Sequence, residues 1–226
     1  MDTWHQLPRA AFDLETTGKD PLEARIVTAS VVVVNGRQEI INHREWLVNP
    51  GVPIPEEATA VHGVSTERAV ASGVDPAVAV AEISAHLGDL FQTMPVLAFN
   101  ASYDFTVLAR ESARHGVPEL VPQPVIDPFI IDKHVDKYRR GKRTLTALCE
   151  HYSIPLNNAH TSVADAAATI GVADAQALKY PNELAVAPAE LHGLQVRWAA
   201  EQAASLQEYF RRKDPAAVVD GTWPVR

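Results

Sequence analysis

Three runs of β-type sequence open the chain. Residues 9–14 form a short apolar run that leads into Thr16-Thr17-Gly18, and residues 27–34 are rich in β-branched side chains. The second run ends at Asn35-Gly36, a dipeptide typical of tight hairpin turns, and residues 39–48 continue as a third strand. The pattern therefore predicts an antiparallel meander at the start of the chain.

Further along, short apolar runs alternate with segments of helical period. Residues 95–99 and 124–127 are predicted strands, and the predicted helices are residues 76–91, 102–115, 145–152 and 162–179. The apolar side of the first helix is formed by Val78, Ile83, Leu87 and Leu90. Strands followed by alternating strands and helices indicate an α/β protein with a mixed sheet flanked by helices.

A long helix is predicted over residues 188–212, after Pro181. Its apolar stripe consists of Leu191, Leu194, Trp198, Leu206 and Phe210. Two interpretations stay open: the stripe packs against its own domain, or it contacts a second copy of the chain or another protein. We therefore divide the sequence into a domain over residues 1–182 and a C-terminal helix and tail over residues 183–226, with the residues after 213 expected to be loosely held.

The composition is that of an ordinary globular chain of 226 residues, 46% hydrophobic and 21% charged. No apolar run approaches the roughly 20 residues of a membrane-spanning helix. Residues 1–6 lack the basic and apolar regions of a signal peptide, so a cytoplasmic location without a membrane partner is expected. The single cysteine, Cys149, excludes an internal disulfide and a cysteine zinc site.

The net charge of −8 argues against a protein that coats long nucleic acid, because such binding needs many Lys and Arg contacts to phosphates. It does not argue against an enzyme that holds one strand end, where bound metal ions supply positive charge. Residues 132–143 carry six Lys or Arg against two Asp. This basic segment is either a solvated loop or a surface that touches phosphates.

Acidic residues at particular places suggest a metal site. Asp13 and Glu15 are two apart on a predicted strand, so both carboxylates point to the same face and repel each other unless a cation lies between them. Asp104, His160 and Asp165 are further candidates. Each residue also has a structural explanation: Asp104, for example, lies in the first turn of a helix, where the helix dipole favours an acid.

Taken together, these residues form an ordered set of motifs. The motifs are Asp13-x-Glu15, Asn100 followed four residues later by Asp104, and His160 followed five residues later by Asp165. In this order the chain resembles the DEDDh class of 3′→5′ exonucleases, the superfamily that includes the proofreading subunit of bacterial replicative polymerase, ribonuclease T and oligoribonuclease. The resemblance covers about residues 9–180. Between the three motifs, it is strengthened by segments similar to those of the class at residues 47–51, 54–55, 57–65 and 145–154.

The resemblance implies a ribonuclease H-like fold with a five-stranded mixed sheet. It also implies that Asp13, Glu15, Asp104 and Asp165 hold two divalent cations, Mg²⁺ or Mn²⁺, in each active site. His160 is the expected general base, and its place five residues before Asp165 indicates the histidine subclass, since the alternative class has a tyrosine where this chain has Thr161.

Substrate contacts are also implied by the resemblance. The residues expected to bind the terminal nucleotide are Leu14, Thr16, Thr17, Glu57, His62, Asn100 and Tyr103. Tyr103 has two open interpretations: it stacks on a base, or it fills the core beside Phe105. Phe99 stands where many members of the class have a histidine, so a polar contact is not expected there.

Three functions follow as hypotheses. The first is a freestanding metal-dependent 3′→5′ exonuclease that shortens single-stranded DNA, RNA or oligonucleotides and releases 5′-nucleoside monophosphates. The second is an accessory proofreading subunit that binds a DNA polymerase through the C-terminal helix, and a homodimer through that helix is also open. The third is a binding protein without activity, which the complete set of five site residues disfavours. Sugar preference and substrate length are not decided by the sequence.

Overall fold

A five-stranded mixed sheet forms the centre of the protein. The computed structural model describes residues 3–156 and 161–226. The strands are β1 (Arg9–Thr16), β2 (Ile26–Val34), β3 (Ile40–Leu47), β4 (Val96–Leu97) and β5 (Val125–Ile126). Their spatial order is β3-β2-β1-β4-β5, with β1, β2 and β3 antiparallel and β1, β4 and β5 parallel. The predicted meander and the predicted mixed sheet are confirmed.

Helices flank this sheet. They are α1 (Glu56–His62), α2 (Thr66–Ser72), α3 (Pro76–Phe91), α4 (Ala101–His115), α5 (Pro128–Val135), α6 (Leu145–Tyr152), α7 (Ser162–Lys179), α8 (Pro181–Leu184) and α9 (Pro188–Arg211). The predicted helices correspond to α3, α4, α6, α7 and α9. The short helices α1, α2, α5 and α8 were not predicted. Of these, α1, α2 and α8 have seven residues or fewer, too few to show a helical period.

The turn between β2 and β3 shows how local chemistry sets the register of the sheet. The side-chain oxygen of Asn35 accepts hydrogen bonds from the backbone N–H groups of Arg37 and Glu39, at 2.9 and 3.1 Å. Gly36 packs so closely on the backbone of Gln6 that a Cβ atom there would lie 2.1 Å from the Gln6 carbonyl oxygen. Only glycine fits at that position, which fixes the hairpin and the strand pairing that follows from it.

Each face of the sheet has its own helices. Phe12 of β1 contacts Phe105 of α4, and the indole N–H of Trp46 in β3 donates to Glu82 of α3, so α3 and α4 cover one face. Helix α7 covers the other face. The apolar side of α3 is formed by Ala79, Val80, Ile83 and Leu87. The prediction that Val78 belongs to it was wrong, because that side chain is 49% exposed in the first turn.

The C-terminal helix α9 covers the edge strand β5. His192 accepts a hydrogen bond from the backbone N–H of Val125, and Gln195 accepts one from Asp127 and donates one to the carbonyl of Val125. These bonds satisfy backbone groups that an edge strand would otherwise leave unpaired. Leu191 and Trp198 of the predicted stripe are buried, whereas Leu206 and Phe210 are more than 40% exposed. The first half of the helix therefore packs on its own domain.

The last residues return to the sheet. Trp223 is buried, its indole N–H donates to Asp127, and the backbone N–H of Arg226 donates to Thr106 of α4. The expectation of a loosely held tail was wrong, because it overlooked the apolar surface that one tryptophan buries. Within the described ranges, no helix is long and apolar enough to cross a membrane.

Candidate active site

Asp13 and Glu15 lie where β1 approaches its carboxyl end. Because β4 and β5 run parallel to β1, the carboxyl ends of all three strands meet at the same edge of the sheet. Asp13 pairs with Ser30 of β2 and Glu15 pairs with Thr28, so these four side chains share one face. The register of the hairpin thus determines which polar groups surround the two acids.

Helix α7 brings a third carboxylate to this face. Its first residue, Ser162, has its hydroxyl 2.5 Å from that of Ser30 and 3.5 Å from that of Thr28. This contact places the first turn of α7 over β1 and β2. Asp165 lies in that turn, and ligand oxygens of Asp13, Glu15 and Asp165 all lie within 4.8 Å of one another. The structure therefore brings together three of the four predicted metal ligands as one cluster.

Asp104 approaches the same edge from the opposite side. It lies in the first turn of α4, which follows β4, and it is 4% exposed. One of its carboxylate oxygens accepts the backbone N–H of Leu14 at 3.0 Å. Its charge also contributes to the raised pKa of Asp13, so Asp104 belongs to the same electrostatic site.

Burial and mutual repulsion raise the pKa values of these acids. Burial is the largest cause for Asp13, followed by the charges of Asp104, Asp165 and Glu15, and its pKa is well above the ordinary value. Burial also raises the pKa of Asp104, and burial together with Asp165 raises that of Glu15 to about 7. A bound divalent cation would offset both effects, and carboxylate oxygens are the donors that Mg²⁺ and Mn²⁺ prefer. The site therefore fits a divalent cation.

These shifts predict how the metal-free protein responds to pH. The pKa of Glu15 is about 7 in the folded protein, against 4.5 for an ordinary glutamate carboxyl, so the folded state binds this proton more tightly than the unfolded state does. The resulting contribution to stability is fully present below pH 4.5 and is lost as the pH rises through 7. The melting temperature in EDTA should fall by at least about 5 °C between pH 5 and 8. Saturating Mg²⁺ should remove much of this fall.

Thermal melts across that pH range, in EDTA and in MgCl₂, check the prediction. The variant Glu15→Gln cannot ionise at this position, so its profile in EDTA should be flatter than that of the wild type. A profile that Glu15→Gln leaves unchanged would show that this carboxylate is not a source of the pH dependence.

The expected general base is not part of the described structure. His160 lies outside the described residues, and its role stays a prediction from the sequence. The structure describes its neighbour Thr161, which is the N-cap residue of α7.

A cavity of about 840 Å³ opens beside the acidic cluster. It lies between the end of β1, the following turn and α1. Its lining residues are Leu14, Glu15, Thr16, Thr17, Gly18, Lys19, Pro55, Glu57, Ala58, Val61, His62 and Tyr103. Six of the seven residues expected to bind substrate are among them. The segment around α1 was identified by resemblance alone, and the structure brings it next to the acids.

His62 lines this cavity with a neutral imidazole ring. Its Nδ1 accepts the backbone N–H of Val64 at 3.2 Å, so the proton of the neutral ring is on Nε2. Burial lowers the pKa of His62, which favours this neutral form. Nε2 is itself buried, and the backbone of Thr16 beside it partly offsets the effect of burial on the pKa of His62.

Tyr103 supports the turn after β1. Its hydroxyl lies within hydrogen-bond distance of the Thr16 hydroxyl and of the Gly18 carbonyl. Tyr103 also packs against the hydrophobic core that contains Phe12 and Phe105, and it lines the cavity. Both interpretations of Tyr103 thus have support: it is a packing residue, and it presents a surface to the cavity.

Asn100 lies outside the cavity. It occupies the left-handed region of the backbone, with φ at 59°, at the junction of β4 and α4. Its backbone N–H donates to Asp127, and its side chain lines a smaller neighbouring cleft. A direct contact between Asn100 and a substrate in the larger cavity therefore stays a prediction.

Asp127 was missed by the sequence analysis. Its buried carboxylate accepts hydrogen bonds from the backbone of Asn100, Ala101 and Phe129 and from the indole of Trp223. Burial raises its pKa to about 6. It joins the starts of α4 and α5 to the C-terminal tail and thereby positions the helix that carries Asp104. Its place directly before Pro128 is a typical helix start and could have indicated this role.

The basic segment over residues 132–143 is partly structural. The buried carboxylate of Asp132 forms ion pairs with Arg139 and Arg143, and Arg143 also donates to several backbone carbonyls of the segment. These two arginines stabilise the loop. Lys137, Arg140 and Lys142 remain exposed, and Lys133 is half-buried. These four residues are the ones in the segment that could contact phosphates.

Together, the mixed sheet and the acidic cluster at its carboxyl edge define a ribonuclease H-like protein with a candidate metal site. The profile of a family described as Exonuclease matches residues 10–173. The chain belongs to this exonuclease family. The resemblance to the DEDD exonuclease superfamily and the expected enzyme class, a nuclease and hydrolase, are confirmed, whereas the histidine subclass depends on position 160.

Known relatives agree with this assignment. A DNA polymerase III subunit epsilon-like protein of Rhodobacter capsulatus is 34% identical over 168 residues, which cover 73% of this chain and 23% of that protein. A PolC-type DNA polymerase III of Halalkalibacterium halodurans is 30% identical over 159 residues, or 70% of this chain and 10% of that protein. The chain thus spans about a quarter or less of the length of these relatives.

Solved structures show the same fold. Escherichia coli exonuclease I in complex with a dT13 oligonucleotide superposes with a TM-score of 0.63 at 19% identity. The match covers 78% of this chain and 42% of that one. A second structure of exonuclease I gives a TM-score of 0.66 at 20% identity. At this level of identity the likeness concerns the fold alone.

Proposed function

We propose that the protein is a metal-dependent 3′→5′ exonuclease that removes 5′-nucleoside monophosphates from single-stranded DNA, RNA or oligonucleotides. The observation that carries the proposal is the position of the acidic cluster of Asp13, Glu15 and Asp165 beside a cavity of about 840 Å³. A cavity next to a metal site can hold one chain end while the adjoining phosphodiester reaches the cluster. A cytoplasmic location stays a prediction from the sequence.

The acids have separate tasks in this proposal. Asp13, Glu15 and Asp165 would hold the divalent cations, and Asp104 would complete the site from α4. When bound, such cations stabilise the charge that develops on the phosphate and favour an attacking hydroxide at neutral pH. Asp104 also fixes the backbone of Leu14 through its hydrogen bond, which keeps the end of β1 at a constant distance from α4.

The cavity walls would hold the terminal nucleotide. Leu14, Ala58 and Val61 offer apolar surface for a base, and the side chain of Tyr103 offers an aromatic one. Glu57 offers an acceptor for sugar hydroxyl groups, and the ring of His62 forms part of the wall beside it. His160 would take the proton from the attacking water.

An accessory role beside a DNA polymerase is a second candidate. The Rhodobacter capsulatus relative is described as epsilon-like, and the PolC-type relatives are polymerases themselves. On α9, Val196 is 40% exposed and Phe210 is 45% exposed. The two residues are fourteen positions apart, close to four helical turns, so they lie near one side of the helix and could form a contact with a protein partner. Binding of a polymerase subunit to the purified chain, lost on Phe210→Ser, would support this role.

Cleavage of end-labelled strands tests the proposed activity. Single-stranded DNA and RNA of equal sequence, labelled at the 5′ end, are incubated with the protein in Mg²⁺, Mn²⁺ or EDTA. The proposal expects a ladder that shortens from the 3′ end in either metal and no cleavage in EDTA. Strands labelled at the 3′ end serve as the control and should release labelled mononucleotide first. Shortening from the 5′ end, or no cleavage of any strand, would refute it.

A further inference from the structure

A second groove lies between α5 and α9, apart from the cavity described above. Its volume is about 340 Å³, and its walls include Lys133, Lys137 and Arg143 from the basic side and Trp198, Leu206 and Tyr209 from α9. None of these residues lines the cavity beside the acids. The function proposed above therefore leaves this groove without a role.

The groove is locally basic in an acidic protein. Over the described ranges, no carboxylate lies within 4.0 Å of the ammonium groups of Lys133 or Lys137, while Arg143 is already paired with Asp132. Glu201 is the one acid among the residues that line the groove. Against a net charge of −8 for the whole chain, this concentration of positive charge suits an anionic ligand.

Aromatic surface accompanies the charge. Tyr209 is 55% exposed at the end of the groove. Trp198 and His134 form a stacked pair at the wall, with ring centroids 3.9 Å apart and an angle of 12° between the planes. Trp198 is buried behind His134, so Tyr209 is the exposed ring of α9 here. Lys133 and Lys137 lie over the rings of Phe129 and Tyr138 at 4.7 and 5.9 Å. An exposed aromatic ring beside lysines that have no carboxylate partner is a combination with which proteins hold single-stranded nucleic acid without reading its sequence.

The groove adjoins a cleft that extends towards the catalytic edge of the sheet. A smaller cleft of about 90 Å³ shares Lys133, Gln202 and Leu206 with it and reaches Asn100 and Ser102, at the start of the helix that carries Asp104. The hydrogen bonds of α9 to β5 end at Gln195, which meets Asp127 at the carboxyl end of that strand. The remaining residues of α9, up to Arg211, span about 24 Å at 1.5 Å per residue, so they extend beyond the edge where the acids lie.

We propose that this groove binds the upstream nucleotides of a single strand whose 3′ end occupies the active site. The proposal rests on the proposed exonuclease function, and it adds a substrate preference to it. Lys133 and Lys137 neutralise phosphates, and Tyr209 stacks on a base. Strands long enough to reach the groove bind more tightly than dinucleotides, which occupy the catalytic cavity alone.

Binding measured without catalysis tests this assignment. Fluorescence anisotropy in EDTA compares a labelled 15-nucleotide single strand between the wild type and the double variant Lys137→Ala with Tyr209→Ala. Both residues are exposed, so the substitutions leave the core intact. The dissociation constant should rise about tenfold. The slope of log K against log salt should become shallower by about 0.7, the value for one lost phosphate contact to a single strand.

The control is Arg37→Ala, which removes one exposed positive charge from the hairpin at the opposite end of β1 and should leave both quantities unchanged. In Mg²⁺, cleavage of a dinucleotide by the double variant should equal that of the wild type. An unchanged affinity and salt slope in the double variant would overturn the proposal and leave the groove to another class of ligand, such as an acidic protein segment. Absence of any cleavage by the wild type would overturn the proposed function alone, because the binding measurement in EDTA does not depend on it.

Discussion

Replacement of Asp13 by asparagine should lower the rate of phosphodiester cleavage at least about a thousandfold and at the same time raise the stability of the metal-free protein. Asp13 is the acid whose pKa reflects burial together with the charges of Asp104, Asp165 and Glu15. Without a cation its ionised form is therefore unfavourable, and an uncharged group of the same shape relieves the repulsion. When a divalent cation is bound, the negative charge of Asp13 is needed to hold it.

Single-turnover cleavage in Mg²⁺ and thermal melts in EDTA measure the two effects on one variant. The matched control is Asp75→Asn, which makes the same chemical change at the N-cap of α3, where the side chain of Asp75 accepts from Ala77 and Val78. Asparagine caps helices about as well as aspartate, so both properties should stay close to those of the wild type. A variant at Asp13 that kept its activity would contradict the assignment of the metal site.

Replacement of Asp127 by alanine should lower the free energy of unfolding by about 3 kcal/mol or more. Four donors lose their acceptor: three backbone N–H groups, of Asn100, Ala101 and Phe129, and the indole N–H of Trp223. All of them are in or next to the core, and a buried donor without a partner costs more than the bond itself contributes. Because α4 loses an anchor at its first turn, the activity carried by Asp104 should fall as well.

Urea unfolding measures the loss of stability. Trp223→Phe is the useful comparison, since it removes the indole donor and part of the ring volume but keeps an aromatic side chain in the core. We expect it to cost about 1 kcal/mol, well below the loss at Asp127. Equal losses in the two variants would mean that the tail contact, and not the anchoring of α4 and α5, dominates the role of Asp127.

Most of the sheet and the long helices could be predicted from the sequence, because each shows a clear local pattern. Asn35-Gly36 specifies the hairpin, and the helical period identifies α3, α4, α6, α7 and α9. The helices α1, α2 and α8 have seven residues or fewer and show no such period. The burial of Trp223 also escaped prediction, because it depends on a return of the chain to Asp127 that no local signal encodes.

The acids of the candidate site could be predicted because their motifs are local: two residues apart on β1, and early in α4 and α7. What could not be predicted is what places them together. The contact between Ser162 and Ser30 and the bond from Leu14 to Asp104 each join residues about 90 or more positions apart. The ion pairs of Arg139 and Arg143 with Asp132 were also not predictable from the sequence. They show that an acid within a basic segment can neutralise part of the positive charge of that segment.

Anomalous diffraction from crystals grown with Mn²⁺ and a 5′-nucleoside monophosphate would test the central claim most directly, since it locates the cations and the reaction product in one measurement. The account predicts two manganese peaks at the acidic cluster, both bound by Asp13, with the nucleotide in the cavity lined by Thr16, Glu57 and His62. Manganese absent from Asp13, or a nucleotide bound elsewhere while the cavity stays empty, would contradict it.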